Sequence, residues 1–172
     1  MRRWVLATAA AIAAAAIPLF ALQQEKPKEE PKKESRTAYI RRIFEKDRCS
    51  FADVCRIVLS LSKGEHVDAA YADVRKDLVT REILVDGWET AESDPATKGM
   101  LSYMLCKSLG IRGGLTTTVF GMSRRYAFRE CVYLGLLSGR SDMEYVTGRE
   151  LIDALANSDV YKERGNAESL RK

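Results

Sequence analysis

The sequence predicts a mainly α-helical fold of repeated helix-loop-helix units, with at most one short strand-like segment. Three observations carry this. Apolar residues recur at helical spacing in segment after segment. Serine or threonine stands where those segments start, and glycine where several of them stop. One skeleton also returns three times, a hydroxyl residue followed by apolar residues four and eight positions on: Ser50 with Val54 and Val58, Thr97 with Leu101 and Leu105, Thr147 with Leu151 and Leu155. The three starts lie 47 and 50 residues apart. Periods of that size belong to architectures whose unit cannot bury its apolar face alone.

The elements follow in order. Residues 1–22 read as an export signal: Arg2 and Arg3 precede an uncharged run from Trp4 to Leu22, with Pro18 near its end. The same run also fits an uncleaved N-terminal anchor, because about 20 apolar residues span a bilayer. Residues 23–37 mix charges with two prolines and no apolar side chain, so they read as a disordered linker. The folded domain is expected over 38–161. It opens with a short helix over Tyr39–Lys46, with Tyr39, Ile40, Ile43 and Phe44 on one side. Ser50 caps the next helix, Asp53 sits favourably in its first turn, and Gly64 suits a left-handed stop. A helix from about Val67 carries Val67, Ala70, Tyr71, Val74 and Leu78. A polar loop, Arg81–Pro95, leads through the Asp94-Pro95 start signal to the Thr97 helix, which ends at Gly110. The segment "IRGGLTTTVFG" holds the strand-like candidate. Ser123 starts a helix through Ala127, Cys131, Leu134 and Leu137 that Gly139 closes. Thr147 and Glu150 then have capping-box spacing. Residues 162–172, poor in apolar side chains, read as a disordered tail.

Composition excludes several functions. The formal charge of +4 falls to +2 once Arg2 and Arg3 are removed, too mild for nucleic-acid binding. No C-x-x-C pair exists and His66 is the only histidine, so no metal site or cofactor is implied. The four cysteines, Cys49, Cys55, Cys106 and Cys131, permit two disulfides in three connectivities outside the cell, or Cys55, Cys106 and Cys131 serve as small buried residues on helix faces. A wall-active hydrolase needs paired carboxylates in a cleft. The clusters available, Asp86, Glu89 and Glu92, and Asp142 with Glu144, lie in polar loops where solvated charge is the plain reading. "GIRGG" lacks the Lys-Ser/Thr of a phosphate loop. The expectation is a non-enzymatic protein.

"VTGRELIDAL" at Val146–Leu155, "RYAFRECVYLGLLSGRSDMEYVTGREL" at Arg125–Leu151 and "DPATKGMLSYMLCKSLGI" at Asp94–Ile111 together resemble the S-layer homology family in divergent form. The likeness covers about Ser50 to Asn157. It departs at Gly148, inserted before Arg149, and at Phe51, which stands in place of a basic residue. The resemblance implies a helical bundle that attaches an exported protein to anionic cell-wall polysaccharide, in the periplasm, at the cell envelope or outside. Carried over by position, its contacts are Thr97 with Lys98 and Thr147 with Arg149. Helix starts attract anions through unpaired amides, and a nearby lysine or arginine adds a charged donor. Trp88 suits either stacking on a sugar face or plugging the space between helices. Arg124 belongs to a basic stretch from Lys98 to Arg140, seven cations against Glu130, which reads as an anion-facing surface or a solvated helix face. The alternative role is an adaptor for an envelope protein. Membrane contact is expected only through the N-terminal segment, if it is retained.

Overall fold

Six helices account for the order in the computed structural model, which describes residues 35–113 and 121–169. They are α1 (Arg36–Phe44), α2 (Phe51–Lys63), α3 (Tyr71–Thr80), α4 (Lys98–Ser108), α5 (Arg124–Tyr133) and α6 (Gly148–Ser169). The fold is mainly helical, and among the described residues the only extended pairings are two isolated antiparallel bridges, Ser50 with Pro95 and Thr97 with Tyr145. The export signal, most of the linker, the Thr116–Phe120 core of the strand-like candidate and the last three residues lie outside the described residues. Among the described ones, no helix is long and apolar enough to cross a membrane.

Local chemistry explains the helix boundaries. The Ser50 hydroxyl accepts from the Asp53 amide while the Asp53 carboxylate accepts from the Ser50 amide, a reciprocal cap. Thr147 and Glu150 repeat it at α6. Thr97 and Ser123 accept from Met100 and Tyr126. Gly64 ends α2 at φ 74°, a left-handed conformation that costs glycine little.

Four boundaries differ from expectation. α1 begins at Arg36 with Ser35 as its cap, so the end of the supposed linker is helical. α3 starts only at Tyr71, because the Val67 amide donates to Ser60 Oγ and holds that stretch extended. α5 stops at Tyr133 rather than near Gly139: Gly135 turns left-handed and Leu136 and Leu137 fold back into the core. The tail continues α6 to Ser169. Burial needs apolar residues, but extending a nucleated helix needs only good helix formers such as its Lys, Glu, Arg and Ala. Lys162 adds a hydrogen bond from its ammonium to the Leu61 carbonyl, 2.6 Å away.

The helices capped by Ser50 and Thr97 each pair with the helix after them rather than with the one before. The principal contacts join α3 to α2, α5 to α4, and α1 to α6, with α2 also touching α4 and α6. Each helix with a repeated start therefore receives the helix that follows it, and the first helix of the domain completes the last. The core runs through this closed set and includes Ile43, Phe51, Val58, Leu78, Leu101, Met104, Leu105 and Leu151, each at most 1% exposed.

At the centre stand Cys49, Ala96 and Val146, each one residue before a repeated start and each 0% exposed. Ala96 donates its amide to Cys49 at 3.0 Å, Val146 to Ala96 at 3.0 Å, and Cys49 to Val146 at 2.8 Å. The three backbones form a closed cycle. The first helical amides continue the pattern: Phe51 donates to Asp94, Lys98 to Glu144, and Gly148 to Lys46, at 2.7, 2.8 and 2.8 Å. The three starts thus share one geometry.

Candidate anion-binding surface

The shared geometry consumes the amides that an anion would need. In α2 the first three amides donate to Asp94, Glu92 and the Ser50 hydroxyl; in α4 they donate to Glu144, Asp142 and the Thr97 hydroxyl. In α6, Gly148 and Glu150 donate to Lys46 and Thr147. A helix start binds an anion through unpaired donors, and these are paired within the chain.

Lys98 is likewise occupied. Its side chain is 6% exposed and its ammonium lies 2.7 Å from both Glu144 and Glu150, with a further bond of 3.1 Å to the Ser138 carbonyl. Burial opposes its charge, but the two carboxylates outweigh burial and raise its pKa. The same ammonium holds the Glu144 carboxyl below its ordinary range. At Glu150 burial pushes upward, and Lys98 together with the Thr147 cap outweighs it.

Arg149 is exposed, its guanidinium 5.1 Å from the centre of the Phe44 ring, on a cleft of about 470 Å³ shared with Lys46, Asp47 and Thr147. The Thr147 hydroxyl serves the cap with Glu150. Lys98 and Arg149 therefore do not converge on one groove. Trp88 is half-buried between Phe51 and Tyr103, with ring centres 6.3 and 5.4 Å away, and the Arg124 guanidinium covers it at 4.2 Å. It plugs a space between helices, with a cation as its lid.

The basic stretch gathers elsewhere. Arg125 and Arg129, one turn apart on the solvent side of α5, meet Arg140 from the following loop around a cleft of about 460 Å³ that Phe128, Ser141 and Asp142 complete. Among the described residues none of these three guanidiniums has an ion-pair partner, and Asp142 is the only acid in the lining. Like charges one turn apart disfavour a helix by a few tenths of a kcal/mol, ~0.2–0.5, so the arrangement does not serve α5 itself. Unpaired arginines present planar donor forks suited to carboxylate or phosphate.

Lys98 builds this cleft from behind. The Glu144 carboxylate that it holds accepts the amides of Arg140 and Ser141 at 3.1 and 3.2 Å, fixing the loop that carries Arg140. Gly99 lets that loop approach: a side chain there would meet the Asp142 carbonyl at 3.0 Å and the Arg124 Cβ at 3.2 Å. Arg124, which covers Trp88, thereby lies close to the same loop. Sequence counting found the excess of cations but not the cleft, because Arg140 reaches α5 only through a loop set by Lys98.

The remaining chemistry is sparse. Glu92 pairs with Arg56, and His66 stacks beside Tyr39 with ring centres 5.4 Å apart. Among the described residues no group of histidines, cysteines and acids is placed to hold a metal ion. All four cysteines are buried. No family model matches the chain, and neither a curated protein nor a solved structure does so.

Proposed function

We propose that this protein is an exported, non-enzymatic module of the cell envelope that binds an anionic cell-wall polysaccharide through Arg125, Arg129 and Arg140. The observation that carries the reading is the single cleft on which these three guanidiniums lie without ion-pair partners among the described residues. Phe128 is buried in the wall of the cleft, which leaves the guanidiniums as its contact surface. Thr97 and Lys98 position this surface rather than touch the ligand, Thr147 is occupied by its cap with Glu150, and Arg149 lies apart on another cleft.

The test is cosedimentation of the full chain with purified anionic wall polysaccharide. Binding is expected to weaken as salt rises, since exposed charges are screened within about 8–10 Å at physiological ionic strength. Arg129→Ala/Arg140→Ala is expected to lower affinity at least ~30-fold, taking about 1 kcal/mol or more for each charge-assisted contact. Arg149→Ala is expected to change it less than twofold. Full retention of binding by the double variant would remove the cleft from the proposal.

An adaptor role for a protein partner is the second reading, favoured by apolar side chains left in solvent: Tyr133 is 85% exposed and Met143 72%. Tyr133→Ser/Met143→Ser abolishing capture of an envelope protein, with polysaccharide binding absent in the unaltered chain, would decide for it.

A further inference from the structure

Cys106 on α4 and Cys131 on α5 face each other across the contact between these two helices. Their sulfurs are 3.6 Å apart, and both residues are 0% exposed. The placement is reciprocal: the Cys131 thiol points at the Ser102 carbonyl, one turn before Cys106, and the Cys106 thiol at the Ala127 carbonyl, one turn before Cys131. A disulfide bond is about 2.05 Å long, so the two sulfurs need to approach by roughly 1.5 Å. The other two cysteines have no such neighbour. Cys49 sits in the central backbone cycle and Cys55 on α2, and among the described residues neither lies against a second sulfur.

We infer that the exported protein carries one disulfide, Cys106–Cys131, and keeps Cys49 and Cys55 as thiols. This selects one pairing from those the sequence permits, and its occurrence in the cell rests on the export reading above. The oxidant is a small-molecule or protein disulfide. One cysteine thiolate attacks it, forming a mixed disulfide and expelling a thiolate that takes up a proton. The second cysteine thiolate then attacks the protein sulfur of the mixed disulfide and expels the second thiolate. Two protein sulfurs are oxidised, and the external disulfide is reduced to two thiols.

The step belongs to the folding chain. In the finished fold both sulfurs are sealed from any oxidant, and contact with Cys106 together with burial raises the pKa of Cys131 far above the usual thiol range. Burial likewise pushes Cys49 and Cys55 up to about 12, which suppresses the thiolate that exchange requires. Once closed, the bond staples α4 to α5 behind the helix that bears Arg125 and Arg129. It also ties off the intervening segment that includes 114–120.

The experiment is refolding of the full chain in glutathione with glutathione disulfide, followed by denaturation, alkylation and peptide mapping without reduction. Two alkylated residues, Cys49 and Cys55, and a reducible link between the Cys106 and Cys131 peptides are expected. The melting temperature is expected to fall by about 10 °C on reduction. The link is also expected to persist in Cys49→Ala/Cys55→Ala. Four alkylated cysteines, or any link that uses Cys49 or Cys55, overturns the assignment. The same mapping on chain recovered from cells separates the two readings: a link formed in the buffer but missing in the cell upholds the pairing and defeats the export reading.

Discussion

The ammonium of Lys98, at the first position of α4, lies 2.7 Å from the Glu150 carboxylate at the third position of α6. Two helix starts 50 residues apart in sequence are thereby joined by charge as well as by backbone. Because the lysine is buried and its partners are partly in water, its loss strands two carboxylates without fully burying them. Lys98→Met is expected to destabilise the fold by about 2–3 kcal/mol, below the usual figure for a broken buried pair. Urea denaturation at neutral pH measures this.

The same cluster gives acid sensitivity with a defined sign. Glu144 and Glu150 have pKa values lowered from 4.5 in the folded protein, so the unfolded chain binds their protons more readily. Their contribution is complete above pH 4.5 and is lost as pH falls through the folded values. Asp53, opposed by burial but held by Lys46 and Ser50, adds a similar loss below 3.8. Lys98, raised above 10.5, contributes fully below that pH and loses its contribution as pH rises beyond it. Thermal melts between pH 6 and pH 3 are expected to fall more steeply for the unaltered protein than for Glu144→Gln/Glu150→Gln. Equal slopes would show that the cluster does not couple to folding.

Gly148 is the position least able to accept a side chain. A Cβ there would stand 1.7 Å from the Ile43 carbonyl oxygen. Gly148→Ala must push α1 away from α6 and disturb the bond from Gly148 to Lys46. A loss of about 3 kcal/mol, the upper end of what overpacking costs, is expected in chemical denaturation. Gly165→Ala, which meets nothing within 4 Å, is the matched control and should not destabilise.

Caps offer changes in both directions. Ser50→Ala and Thr147→Ala each remove a side-chain acceptor from a helix start and are expected to cost about 1 kcal/mol. α3 has Ala70 at its cap with no side-chain bond, in an extended conformation that Asp adopts readily. Ala70→Asp is expected to add about 0.5–1 kcal/mol, read as a rise in the denaturation midpoint.

What was legible in the sequence is what local chemistry decides. The Ser50 and Thr147 capping arrangements, the Gly64 stop and the apolar stripes of α2 and α4 need only neighbours a few residues away. The pairing of α1 with α6 was not legible, because a short amphipathic helix carries no label for its partner. Lys98 misled for a related reason. At a helix start whose nearest acids, Asp94 and Glu92, serve Ala91 and Arg56, it resembles a free cation, while its carboxylates arrive 46 and 52 residues later. The three arginines were visible as a charge excess, but their convergence depends on the loop that Glu144 holds.

The cycle of Cys49, Ala96 and Val146 has a consequence for how the chain is made. An open stack of repeats can fold progressively and can gain or lose a copy at either end. Here the link from Cys49 to Val146 spans 97 residues, and α1 has its seat only after α6 emerges. α2 and α3 can cover one another early, but α1 must wait with its apolar face uncovered until α6 is present. Removing one copy would leave the other two unable to close, so the number of copies is set by geometry rather than by the length of surface to be covered.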